Sequence, residues 1–246
     1  MRKHVDLVAF FIFIIFTAVM FYLLLFSGVV YYQRHTSYFI IIINFVFALI
    51  FFRKRTWLIT LGLLFTLISD YFLAFKEPTT IEKCIAMSTF AVAQISYGIY
   101  LILRSEGIFK KVSIIVRLAL SLGALIVPII VLNATGSYLP EDIYVASATA
   151  LYGVNLLMNL VFSGINFKKA PLLVFGFLLF VLCDFTVLFY AGDGIYFNLV
   201  PGTFLYWVAY ECSINLTWFF YIPSQMLIVL SEIPSILNLF RKEIKE

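Results

Sequence analysis

Two aspartates in strongly apolar surroundings are the residues of this sequence best suited to chemistry. Asp70 lies in Leu61 to Phe75, LGLLFTLISDYFLAF, and Asp184 in Phe175 to Phe189, FGFLLFVLCDFTVLF. A carboxylate inside such a run is expensive in lipid and marks a functional site by default. The two stretches also match each other. Gly62 and Gly176 stand at the same spacing before the Asp, a small residue (Ser69, Cys183) directly precedes it, and four of fifteen positions are identical.

Two carboxyls brought together in low dielectric cannot both ionise cheaply, so such a pair is expected to hold one proton between them. It then supplies one general acid and one base or charge stabiliser. The reactions it suits are those that activate water or pass through a cation next to oxygen. Other catalytic sets are not available. His4 and His35 are the only two histidines, too few for a three-histidine zinc site. There is no Ser-His-Asp set and no phosphate-cradling glycine loop. Cys84, Cys183 and Cys212 have no paired spacing and read as small apolar fillers. No metal or cofactor is expected.

The elements that must position these carboxyls are membrane helices. The 246 residues are 63% hydrophobic, 19% aromatic and only 12% charged, with mean hydropathy +1.06, whereas about a quarter of a soluble domain is charged. The expectation is an all-α polytopic membrane protein, a single transmembrane domain over residues 1–246. A span needs about 20 mostly apolar residues, which places eight of them at about 7–30, 38–52, 57–75, 84–103, 112–132, 143–163, 171–190 and 205–231. The first is too long for a signal-peptide core and is read as retained.

Fourteen of the 17 Lys and Arg residues fall on one side of this topology: Arg2, Lys3, Arg53, Lys54, Arg55, Arg104, Lys110, Lys111, Arg117, Lys168, Lys169, Arg241, Lys242 and Lys245. Only Arg34, Lys76 and Lys83 fall on the other, so both termini are predicted to be cytoplasmic. The net charge of +4 is spread over short loops and implies no nucleic-acid partner. Each Asp lies on the third span of a four-span half. Halves of even span number are parallel, so residues 1–111 and 112–246 are expected to form parallel repeats with Asp70 and Asp184 at equal depth.

Further polar groups cluster on the even-numbered spans. The fourth carries Gln94, Ser96 and Tyr97, and the sixth carries Asn155 and Asn159 one helical turn apart. The eighth carries Glu211, Asn215, Tyr221 and Gln225, expected to share a broad face, with Pro223 removing one backbone hydrogen bond. Asn44, Asn155 and Asn159 also fit a role as interhelical glue, and Glu211 fits an exposed position at the outer interface.

The residues resemble the YhhN-type lysoplasmalogenases, eight-span membrane proteins. The likeness rests on GLLFTLISDYFLAF (Gly62, Asp70), AQISY (Ala93, Gln94, Tyr97), GFLLFVLCD (Gly176, Asp184) and WFFYIPSQMLIV (Tyr221, Gln225), in the family's order and spacing across most of the chain. Two positions depart: Gln94 stands where the family usually has His, and Cys183 where it commonly has Ser. Gln cannot transfer a proton as His can. The resemblance implies hydrolysis of the vinyl ether bond of lysoplasmalogen, a single-chain ether phospholipid, to a fatty aldehyde and a glycerophospho-base. Asp70 and Asp184 would be catalytic, Gln94, Tyr97, Tyr221 and Gln225 would orient water or substrate, and Asn155, Asn159, Glu211 and Asn215 would support them. The lipid would enter sideways with its head group near Arg34, Lys76 and Lys83.

Three other classes compete. Parallel repeats with polar groups at mid-membrane also suit a small lipid or solute transporter, although the broken, Gly-rich helix pairs of such proteins are missing from both Asp spans. An intramembrane aspartyl protease needs two facing Asp residues, but its Tyr-Asp and Gly-x-Gly-Asp signatures are absent here. A non-enzymatic binding protein is consistent with Gln94.

Overall fold

The computed structural model describes residues 2–26, 30–52, 56–75, 79–135, 140–167, 170–192, 198–212, 214–231 and 233. Among the described residues the predicted apolar segments are helical over most of their length: α1 (Arg2–Phe26), α2 (Val30–Phe51), α3 (Trp57–Asp70), α4 (Thr80–Arg104), α5 (Gly107–Thr135), α6 (Pro140–Ile165), α7 (Pro171–Gly192), the single turn α8 (Phe204–Tyr206) and α9 (Leu216–Leu230). Local chemistry sets several boundaries. The Thr79 hydroxyl accepts from Glu82 N at 3.3 Å while a Glu82 carboxylate oxygen accepts from Thr79 N at 2.9 Å, a reciprocal capping box that starts α4. Pro140 and Pro171 open α6 and α7, where a missing N–H costs nothing. Gly107 opens α5 with φ +60°, a left-handed value that favours glycine.

Among the described residues four helices are long and apolar enough to cross a membrane, Thr80–Arg104, Gly107–Ala134, Pro140–Ile165 and Pro171–Tyr190. Phe10–Leu24, His35–Phe51 and Trp57–Leu73 are shorter apolar helices. The expected span at 205–231 is not one helix. A π turn, Trp207–Glu211, follows α8, Cys212 is extended (φ −64°, ψ 122°), and α9 starts afresh at an angle of 80°. Only if that bent pair counts as one crossing are there five.

The break corrects one expectation about the site. Glu211 and Asn215 do not share a helix face with Gln225: Glu211 ends the π turn and is exposed, and Asn215 is the N-cap of α9, its side chain accepting from Trp218 N at 3.3 Å. Arg117, counted with the basic side, lies inside α5 as the expected span 112–132 has it, and it is only 6% exposed. Arg53, Lys54, Arg55, Lys76, Lys168, Lys169, Arg241, Lys242 and Lys245, which carried most of the topology argument, lie outside the described residues.

The core lies where α3, α4, α6, α7 and α9 converge, around Leu63, Phe90, Tyr97, Tyr152, Phe177, Phe180 and Tyr221. The helix neighbours pair off between the halves. As α2 adjoins α3 and α3 adjoins α4, so α6 adjoins α7 and α7 adjoins α9; α4 adjoins α6 as α9 adjoins α2. The matched glycines occupy equivalent close approaches. A Cβ on Gly62 would collide with the Tyr97 ring of α4, and one on Gly176 would come within 3.3 Å of the Ser224 carbonyl oxygen of α9.

Candidate active site

Asp70 is the last residue of α3 before the chain widens into a π turn, Tyr71–Phe75, a feature frequent at functional sites. Its neighbour Ser69 donates to Ala86 O at 2.7 Å, pinning this end of α3 to α4. Asp70 is 5% exposed, and the Tyr221 hydroxyl of α9 donates to its Oδ2 at 2.5 Å. Asp184, at mid-length in α7, is held alike. The Tyr152 hydroxyl of α6 donates to its Oδ2 at 2.5 Å, and the carboxyl is half-buried.

The two pairs form one cluster. Asp70 and Asp184 lie close enough to interact electrostatically, and Tyr152 interacts with both. Phe180 packs against both tyrosines, 5.3 Å from Tyr221 and 6.3 Å from Tyr152 between ring centroids, and Phe90 packs on Tyr152 at 5.2 Å and on Phe180 at 6.2 Å. Two acidic groups thus sit in a wall of aromatic rings. Bulk water is displaced there, so hydrogen bonds and charges act at greater strength.

The remaining predicted residues divide. Tyr221 touches a carboxyl directly, and Gln225 follows it by one helical turn on the same face of α9. Gln225 is fully buried, and among the described residues neither its Oε1 nor its Nε2 has a partner. A buried amide in that condition is suited to holding water or a polar ligand. Tyr97 is fully buried beneath Gly62, with its hydroxyl 3.4 Å from Thr66 Oγ1 and its ring 5.7 Å from Phe177.

Gln94 accepts from Asn159 Nδ2 at 2.9 Å through both Oε1 and its backbone oxygen, which joins α4 to α6. Asn155 donates to Ser121 Oγ at 3.1 Å, joining α6 to α5. Those contacts are what interhelical glue would make. Asn44, read the same way, is buried but neither amide atom has a partner.

Sequence reasoning missed Tyr152. The signal was present, because Tyr152, Asn155 and Asn159 recur at helical spacing on one face of α6. On the Tyr38 side of Asp70, a broad open recess of about 500 Å³ is lined by Met20 of α1 and His35, Thr36, Tyr38, Phe39 and Ile42 of α2. Tyr38 links it to the cluster: its phenol interacts electrostatically with Asp70, and its ring lies 6.0 Å from that of Tyr71. Among the described residues no three His, Cys, Asp or Glu side chains gather as metal ligands. Of the expected head-group contacts, Lys76 lies outside the described residues and Lys83 is exposed.

The family model described as the YhhN family matches residues 32–232 of the chain. No curated protein and no solved structure matches it.

Proposed function

The chain belongs to the YhhN family, and from that premise we propose that it is a membrane hydrolase cleaving the vinyl ether bond of a lysoplasmalogen. The observation that carries this reading is the pair of tyrosine-held carboxyls. Tyr221 and Tyr152 each engage Oδ2, so the reacting atoms are the Oδ1 oxygens of Asp70 and Asp184. One carboxyl, protonated, delivers its proton to the β carbon of the vinyl ether. The resulting oxocarbenium ion is stabilised by the other, ionised carboxylate. Water then adds to the cation and gives up its proton to that carboxylate. The hemiacetal collapses to a fatty aldehyde and the free glycerol hydroxyl, with one water consumed. The tyrosine hydroxyls hold the carboxyls in place, and the unpartnered amide of Gln225 orients the water.

The hydrophobic tail is assigned to the α1–α2 recess beside Tyr38. In this reading the helices form two parallel four-helix repeats, and the matched neighbour relations support that arrangement.

The test is aldehyde release from lysoplasmalogen by the purified protein in detergent, beside Asp70→Asn and Asp184→Asn. Activity is expected to fall by at least about a hundredfold in each variant, with the thermal transition preserved. Wild-type turnover retained in both variants overturns the proposal. Lipid transport with no aldehyde favours the transporter reading.

A further inference from the structure

The seam between α4, α5 and α6 holds a buried guanidinium that the proposed chemistry does not use. Arg117 is 6% exposed, and its Nε donates to Ser113 Oγ at 3.3 Å. Its guanidinium carbon lies 5.2 Å from the Phe162 ring centroid, but among the described residues Nη1 and Nη2 have no acceptor. Residue 98 makes room for it, since a Cβ on Gly98 would collide with Nη1. Among the described residues no carboxylate is near enough to offset its charge.

Asn159 Oδ1, also without a partner, borders the same space. Its orientation is set by the two bonds from Nδ2 to Gln94. A buried, unneutralised cation with open donors is strongly disfavoured, and a chain that keeps one inside a long apolar helix has a use for it.

We propose that this seam binds a phosphate group, with Arg117 as its anchor. Asn159 Oδ1 can take one of the open N–H groups. The others require several oxygens presented to the guanidinium fork, which a phosphate supplies bidentately. The nearby end of α5 is basic. Lys110 precedes Arg117 by seven residues on the same face of α5, about 10 Å along the axis, and Lys111 and Arg104 lie at the same end, with Glu106 as the nearby acid. The adjoining surface of α5 is apolar and exposed at Ile115, Leu118 and Leu122. The phosphate can therefore come from a phospholipid head group reached through the bilayer or from free phosphate in solution.

The experiment is thermal unfolding of the purified full chain in a neutral maltoside detergent, with inorganic phosphate in one arm and phosphatidic acid in the other. Wild type is expected to gain about 5 °C or more at a hundredfold excess over Kd in at least one arm. A shift with phosphatidic acid alone identifies a lipid head group, and a shift with inorganic phosphate identifies the free anion. Arg117→Met should abolish the shift and, without ligand, melt no lower than wild type, because it removes an uncompensated charge. Arg117→Lys, a cation without the planar fork, should retain a reduced shift. No shift of wild type in either arm, an undiminished shift in Arg117→Met, or an unliganded Arg117→Met that melts well below wild type or fails to fold overturns the proposal. The readout is binding, so it stands apart from aldehyde release.

Discussion

Tyr221 donates its hydroxyl to Asp70 across 151 residues of chain, and Tyr152 does the same for Asp184 across 32. The two bonds have equal length but unequal surroundings, since Asp70 is buried and Asp184 half-buried. Removing a donor from a buried carboxyl costs its full desolvation, about 1–3 kcal/mol or more, and a carboxyl that is less fully enclosed by protein loses less. Tyr221→Phe should therefore lower the unfolding transition more than Tyr152→Phe. Differential scanning fluorimetry of the two variants decides this, and equal losses would contradict it.

The glycines give a graded series. Gly62→Ala forces a methyl group into the Tyr97 ring and should cost about 1–3 kcal/mol. Gly176→Ala meets Ile228 Cγ1 at 3.0 Å and the Ser224 carbonyl at 3.3 Å, so its cost should be smaller. Gly153→Ala on α6 meets nothing within 4 Å and should stabilise by up to about 1 kcal/mol through helix propensity. The three melting temperatures should rank in that order.

Two buried amides should respond oppositely to the same change. Asn159→Leu breaks both bonds to Gln94 and should lose about 0.6–2 kcal/mol. Gln225→Leu breaks no protein hydrogen bond, so its stability should hold or rise while aldehyde release falls about tenfold or more. A Gln225→Leu variant that is fully active would remove that residue from the mechanism.

Filling the α1–α2 recess should change substrate choice. Ile42→Trp occupies part of the roughly 500 Å³ assigned to the tail and should depress turnover of long-chain substrates while sparing short-chain ones. Competition between two chain lengths in one reaction measures this directly, and an unchanged ratio would place the tail elsewhere.

Much of this arrangement is legible in the sequence. Long apolar runs fix where the helices lie, because little else can bury so much hydrocarbon. The Asp in each matched stretch points to the site, since a lone carboxylate there is conspicuous. The α8–α9 break is not legible in the same way. Glu211 to Asn215, ECSIN, separates the apolar stretches LYWVAY and LTWFFYI without a Gly or Pro to announce a break, and the capping capacity of Asn215 is what marks a new start. Tyr152 is lost among fifteen tyrosines until its spacing to Asn155 is weighed. Arg117 misleads for another reason. Counting basic residues per loop cannot separate a side chain that snorkels to water from one turned inward, and that difference is decided by the partner helices.

The Tyr221–Asp70 bond also has a consequence in time. Helix α3 is made early and α9 late, so a growing chain must hold Asp70 in place until more than half of its length has followed. During that interval the carboxyl lacks the Tyr221 hydroxyl that donates to it. Docking of α9 therefore completes the site: until it happens, no partial product holds the Tyr221–Asp70 contact.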